Sequence, residues 1–212
     1  MQNYTLRHLI REAYSLKSDS QILGGPDWID KEAFVIVAKV GDDEVARMDK
    51  MNGEQSDREW DLMLQSLLAD RFQLSVTRSA RTLPVFDLVV SHSGSKIKPT
   101  PPAGADSQGN DPGIDINWGE LTATAASMDA FADVLSGMRD MSNRVVINRT
   151  GLTGNFDFKM DWARDRGNGP PPDSPYPGLF TALQEQLGLR LKPDKASVPV
   201  VIVESAAEPA PN

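Results

Sequence analysis

The chain has 212 residues, of which 40% are hydrophobic and 25% charged, with no cysteine and a formal net charge of -8. This composition fits a globular protein, and the acidic excess argues against nucleic acid or an anionic membrane surface as partner, since both attract clustered Lys and Arg. The lack of cysteine excludes disulfides, thiolate nucleophiles and Cys-ligated zinc. No stretch approaches the roughly 20 apolar residues needed to span a bilayer, and no signal peptide opens the sequence as given.

In chain order, Thr5 is expected to cap a helix with Leu6, Leu9, Ile10, Ala13 and Leu16 on one face. A glycine-rich turn, Gln21 to Trp28, leads to an alternating strand containing Phe34 and Ile36. Ser56 and Glu59 have capping-box spacing ahead of Trp60, Met63, Leu64, Leu67 and Leu68. A short strand (Leu74, Val76), a turn and a longer strand, Pro84 to Val90, follow as a hairpin. Residues 93–113 read as a Pro/Gly/Ser/Asp-rich linker. Beyond it come a strand from Glu120 to Thr124 and a second helix capped by Ser127, with Met128, Phe131, Ala132, Leu135 and Met138 on one face. The turn Asn148 to Gly154 leads into a strand with Phe156, Phe158, Met160 and Trp162 on one side and Asp157, Lys159 and Asp161 on the other. A Pro/Gly-rich surface loop, 164–177, precedes a helix that Gly188 would terminate. Leu189 and Leu191, a turn, and Pro199 to Val203 close the chain.

The two halves repeat one pattern. Thr5 and Ser127, Leu9 and Phe131, Ala13 and Leu135, Phe34 and Phe156, and Ile36 and Phe158 all keep a spacing of 122 residues. The expected architecture is therefore α+β: two tandem units of the type helix-strand-strand-helix-strand-strand, helices packed on mainly antiparallel sheet. The expected boundaries are a first unit over 1–92, a linker over 93–113 and a second unit over 114–212. The first unit is expected to lack the leading strand that Glu120 to Thr124 gives the second.

Signatures of chemistry are sparse. His8 and His92 stand apart and outside any zinc motif, so no metal site is expected. Asp106 to Asp115 lacks the EF-hand order and reads as a solvated acidic loop. Gly151-Leu152-Thr153-Gly154 leads into a strand and has no following Lys-Ser/Thr, so it is not a phosphate cradle, and no cofactor is expected. Asp157 and Asp161 would lie roughly 13 Å apart on one strand face, too far for a glycosidase pair. The two glycine-rich turns remain as ligand-binding candidates, represented by Gly24, Gly25 and Trp28 in the first and Arg149, Thr150 and Thr153 in the second. In the alternative reading, Trp28 folds back as a lid on the core. Arg71, Arg78 and Arg81 form a candidate anion-binding group, or else a charged sheet edge that blocks aggregation.

Gly24-Gly25-Pro26-x-Trp28, Leu67-Leu68-Ala69-Asp70-Arg71-Phe72-x-Leu74, Thr150-Gly151-Leu152-Thr153-Gly154-x-Phe156-Asp157-Phe158 and Ala182 to Leu189 together resemble an uncharacterised soil-bacterial family abundant in acidobacteria. The similarity covers nearly the whole chain. It implies a secreted or periplasmic protein, related to proteins of which some are attached to membrane metallopeptidases of the β-lactam-sensor type. That family has no established activity and supplies no catalytic residues. The small units also look loosely like the docking modules of secretins and TonB-dependent receptors.

The expected function is a non-catalytic extracytoplasmic module that binds a small molecule, glycan or peptide, or docks an envelope protein. Two alternatives stand beside it: a hydrolase with dispersed residues such as His8, Asp27 and Asp157, and a structural subunit whose open sheet edge pairs with another chain.

Overall fold

The computed structural model describes residues 3–101, 112–164 and 173–209. Parts of the expected linker (102–111) and of the expected loop (165–172) lie outside the described residues. The fold is α+β, with helices packed on sheets. In chain order the elements are β1 (Tyr4–Thr5), α1 (Leu6–Ala13), β2 (Ile22–Gly24), β3 (Ala33–Phe34), α2 (Asp42–Met48), α3 (Gly53–Phe72) and β4 (Ser75–Val90). They continue with β5 (Lys98–Pro99), β6 (Gly113–Asn117), β7 (Glu120–Ser127), α4 (Met128–Ser136), β8 (Val145–Asn148), β9 (Asn155–Asp161), α5 (Leu179–Ala182) and β10 (Leu189–Ser205). There are two compact units. Unit 1 comprises Met1–Thr82 and Ser197–Asn212, and unit 2 comprises Leu83–Ala196.

Unit 1 is built around α1. The Thr5 hydroxyl accepts the His8 backbone N–H at 3.2 Å, which satisfies one of the donors a helix start leaves free. Leu6, Leu9, Ile10 and Ala13 then face inward and share a core with Leu68 and Phe72 of α3 and with Val201 and Val203 of β10. β10 pairs parallel with β2, Val201 opposite Ile22 and Val203 opposite Gly24. Gln21, buried beside this seam, donates to Pro199 O at 2.9 Å while its carbonyl oxygen accepts from Lys17 and Ser18 N–H. The Gln21 amide thus satisfies the Pro199 carbonyl just before the strand pairing begins. A Cβ on Gly24 would stand 3.0 Å from Val203 O, which is why the seam needs glycine.

Unit 2 has a four-stranded antiparallel sheet in the order β5-β9-β7-β6. Along β9, Phe156, Phe158 and Met160 are buried, as is Trp162 just beyond it, so the two-residue period read from sequence is the core face. The Ser127 hydroxyl caps α4 by accepting Ala130 N–H at 3.1 Å, and Phe131, Ala132 and Leu135 pack on the sheet. β4 pairs parallel with β8, Val85 opposite Val145 and Leu88 opposite Asn148. α5 runs on as a π-helical turn, Leu183–Leu187, and ends at Gly188 in the left-handed conformation (φ 67). A Cβ there would come 2.1 Å from Gly94 O, so only glycine fits.

Several elements differ from the sequence expectation. α3 starts at Gly53, three residues before Ser56, because Asn52 and Gln55 form a complete capping box of their own. Trp60 lies on the exposed face of α3. β4 (Ser75–Val90) and β10 (Leu189–Ser205) are each one continuous strand where a strand, a turn and a second strand were expected, and neither contains a glycine to reverse the chain. The pairing is mainly antiparallel, as expected, with β10 and β2, and β4 and β8, as parallel exceptions. Residues 98–99 of the expected linker form an edge strand, Lys98 opposite Asp157.

Val201 and Val203 each contribute about 1.5–3 kcal/mol of apolar burial to unit 1, which is a large part of a small domain's stability. A chain ending at Ala196 keeps every residue of the unit 2 core but loses these two. It is expected to show dispersed amide resonances for unit 2 and collapsed ones for 3–82. Dispersed unit 1 resonances in that chain would overturn the assignment of β10 to its core.

Candidate functional site

The first glycine-rich turn is held from beneath. Arg7 forms an ion pair with Asp30 and donates to Ile22 O at 2.9 Å, bracing the 3₁₀ turn Asp27–Asp30. That turn directs Trp28 into an aromatic cluster. Its ring stacks on Phe72 at 6.4 Å and meets Phe34 edge-on at 6.2 Å, and Phe34 and Phe72 meet edge-on at 5.1 Å. Trp28 is half-buried and belongs to the wall behind a groove, rather than standing out as an open platform.

The groove occupies about 1010 Å³ of unit 1. One side is the chain Phe34–Lys39, and the other is the end of α3 with Leu67, Asp70, Arg71 and Phe72; Glu208 and Pro209 contribute to the rim. Val35 and Val37 are exposed here, Val37 to 81%, which is unusual for aliphatic side chains beside one another. The lining thus combines an apolar floor with both signs of charge (Lys39, Arg71; Asp70, Glu208), the mixture typical of sites for small organic or peptidic ligands.

The arginines read as an anion group are engaged separately. Arg71 lines the groove and stands 3.4 Å from Asp70. Arg78 lies over the Tyr14 ring at 5.1 Å and reaches Gln65 Oε1 at 3.4 Å. Arg81 turns onto Ser79 Oγ and Ala80 O. Of the three, Arg71 is the one placed at the groove.

The second glycine-rich turn belongs to unit 2 and is self-contained. Thr150 donates to Asn148 Oδ1 through both its N–H (3.0 Å) and its hydroxyl (2.8 Å), and Leu152 N–H donates to Thr150 Oγ1. Arg149 and Thr153 are exposed, and Arg149 N–H donates to Leu88 O at 2.9 Å. Cβ atoms at Gly151 and Gly154 would meet nothing, so these glycines serve positive φ (71 and 94) rather than close approach.

The dispersed acid–base candidates have local partners. His8 stacks on Tyr4 at 4.9 Å and its Nδ1 lies 3.0 Å from Arg11 Nη2. Asp27 is solvent-exposed beside Lys31. Asp157 accepts Ala125 N–H at 2.7 Å and the Thr100 hydroxyl at 2.8 Å, and so pins the bulge where β7 shifts register against β9.

A carboxyl pair that the sequence reading did not find lies in unit 2. Partial burial, then a hydrogen bond and repulsion from Asp194, push the Asp87 carboxyl above its ordinary range, against the pull of Arg149 and Lys192. Asp194 is held below its ordinary range, first by the Lys195 N–H at 2.7 Å and then by Asp87. The two carboxyls therefore titrate as a coupled pair, with Asp87 the one that holds its proton to higher pH. The two residues are far apart in sequence, and no spacing marks them. The groove side Val35–Lys39 was equally hidden, because alternation predicts which residues face the core but not whether a neighbouring strand covers the edge.

Among known proteins, a family model described as "Protein of unknown function (DUF3738)" matches residues 7–206. No curated protein matches the chain. No solved structure matches it.

A carboxyl raised on folding favours the native state below the ordinary Asp value of 3.8, and that contribution is lost as pH rises through the raised value. Asp87→Asn keeps a donor to Asp194 without the titration. The stability of this variant relative to the parent is expected to increase as pH is raised from about 4 to 7, as measured by urea denaturation across that range. A pH-independent difference would remove the raised Asp87 carboxyl from the account.

Proposed function

The chain belongs to the DUF3738 family, whose function is unknown, and we propose that it is a non-catalytic binding module whose ligand occupies the unit 1 groove. The observation that carries this reading is the exposed Val35–Val37 stretch facing Arg71 across a groove with an aromatic wall. The Trp28–Phe34–Phe72 cluster fixes that wall before any ligand arrives, which lowers the ordering cost of binding. The separate local bonding of His8 and Asp27 supports binding over hydrolysis in this unit. Small molecules, glycans and peptides are the ligand classes considered, with an envelope protein as the source of any peptide.

The same reading places the module outside the cytoplasm, supported by the resemblance to secreted proteins noted from the sequence motifs. Cell fractionation of the natural producer with an antibody to this chain is expected to find it in the periplasm or medium. Recovery in the cytoplasm would refute the placement.

Ligands are sought by thermal shift with the purified chain, using cell-wall fragments, oligosaccharides and short peptides. Binding at about 100 times the dissociation constant stabilises by roughly 2.7 kcal/mol. Val37→Ser and Arg71→Ala alter exposed side chains and are expected to change stability by less than about 0.5 kcal/mol. They should nevertheless weaken any ligand found by about tenfold or more. Unchanged affinity in both variants would remove the groove from the account.

A further inference from the structure

We infer that the tip of the β6–β7 hairpin in unit 2 is a second binding site, at which Trp118 stacks on a neutral pyranose ring of a glycan. The site is separate from the groove and does not depend on it. Asn117 stands opposite Glu120, so Trp118 and Gly119 alone make the turn, and both have positive φ (46 and 98). Such a two-residue turn favours Asn-Gly, because a bulky side chain is rarely found in the left-handed region. Gly119 is held in place: its carbonyl accepts Trp162 N–H at 2.7 Å, and a Cβ there would stand 2.5 Å from Trp162 O. Trp118, by contrast, is 85% exposed and belongs to neither core, so it does nothing for the fold that asparagine would not do better. A local rule broken with no gain in packing marks a functional position.

The groups beside the tip break a second rule. Across the sheet, Asn117 faces Glu120 and Glu120 faces Asp161. Two carboxylates directly opposite one another destabilise a strand pair, and neither of these forms an ion pair among the described residues. Two residues further along each strand, Asp115, Thr122 and Lys159 form the next row on the same face. The alternate residues Leu121 and Met160 are buried, so both rows lie on the face turned away from the core. A polar face of three strands therefore leads up to the tryptophan.

These neighbours also indicate the chemistry of the ligand. Arg164 lies over the Trp118 ring at 5.7 Å. It already supplies the cation that the ring's negative face attracts, which leaves the other face for uncharged C–H groups. A pyranose has such a C–H face and a rim of hydroxyls. The hydroxyls can donate to Glu120 and Asp161, relieving their opposition, and accept from Asn117 and Arg164. Asp115, Glu120 and Asp161 would repel an anionic lipid surface. Arg164 at the ring and Lys159 in the second row act against a basic peptide.

The test adds cellohexaose, chitohexaose or xylohexaose to the full ¹⁵N-labelled chain and follows its indole and amide N–H signals. The indole signal missing from Trp118→Asn identifies Trp118. Saturable shifts of that signal, and of amides within 115–122 and 159–164, are expected with at least one of the three sugars. Trp118→Asn places the favoured residue in the turn and is expected to fold as well as the parent or better. It should nevertheless bind at least about tenfold more weakly, the size of one lost aromatic contact. Glu120→Thr removes the opposed charge and is likewise expected to raise stability while weakening the sugar. Val37→Ser, in the groove of unit 1, should leave this binding unchanged. No saturable shift of the Trp118 signal with any of the three at millimolar concentration would overturn the site. So would undiminished binding in Trp118→Asn or Glu120→Thr, or binding that Val37→Ser abolishes. Binding to phosphatidylglycerol vesicles, or a dimer seen by sedimentation, that Trp118→Asn removes would overturn it too, since the ring would then belong to a lipid surface or a second copy.

Discussion

Val201 and Val203 lie near the far end of the chain, yet they are buried with Leu6, Ile10 and Ile22 near its beginning. This contact constrains the rest of unit 1. Without it α1 has an apolar face and no sheet to cover it, β2 has no partner, and the glycine seam at Gly24 closes on nothing. The cost is entropic, since a contact across nearly the whole sequence orders a long loop before any burial compensates it. Unit 2 has no such debt to residues beyond Ala196, and its core residues fall between Phe86 and Leu189. Unit 2 can therefore close as soon as its own strand segments emerge, with unit 1 completing last.

The same arrangement explains why both final strands are long and open with Pro-Val at their second half. β4 begins in unit 1 and ends in unit 2, and β10 runs the other way. In unit 2, Phe86 stands opposite Val146 and Leu88 opposite Asn148; in unit 1, Val201 stands opposite Ile22 and Val203 opposite Gly24. Each unit thus takes its last strand from the other half of the sequence. The duplication read from sequence, if each copy kept its elements in order, would produce this result by exchange of the final strands.

Much of the local structure was legible because it depends on local patterns. Thr5 and Ser127 cap helices, Gly188 ends one, and Phe156, Phe158 and Met160 form a buried stripe, each following from side-chain spacing alone. The errors arose where two local patterns competed. Asn52 with Gln55 and Ser56 with Glu59 are both capping signatures, and the earlier one prevailed because it lengthens the helix by just over one turn. α2, with three acidic residues in its first turn, carries too little apolar periodicity to show itself, and Met48 is its buried residue. The candidate site was legible only in part: Arg71 and the turn around Trp28 could be singled out, but their roles depend on what lies across the groove. Strand partners and uncovered edges are properties of the assembled chain, and no residue spacing encodes them.

Exposed aliphatic side chains such as Val35 and Val37 are costly, because they invite aggregation. This chain applies a modest protection there, a lysine at the outer end and charged residues on the facing helix end. Stronger remedies, such as a proline in the edge or a bulge that twists it away, are absent from Val35–Lys39. In unit 2 the corresponding edge is covered by β7, and a bulge pinned by Asp157 shapes how that strand leaves it. Where the chain supplies its own strand, the polar face can be given over to fixing that strand, as Asp157 does. In unit 1 the stretch Val35–Lys39 carries its lysine at the outer end, and Phe34 and Phe72 meet edge-on in the wall beside it. An aromatic wall already packed before binding lowers the ordering cost of any occupant, and that is the property a groove needs in order to offset exposed valine.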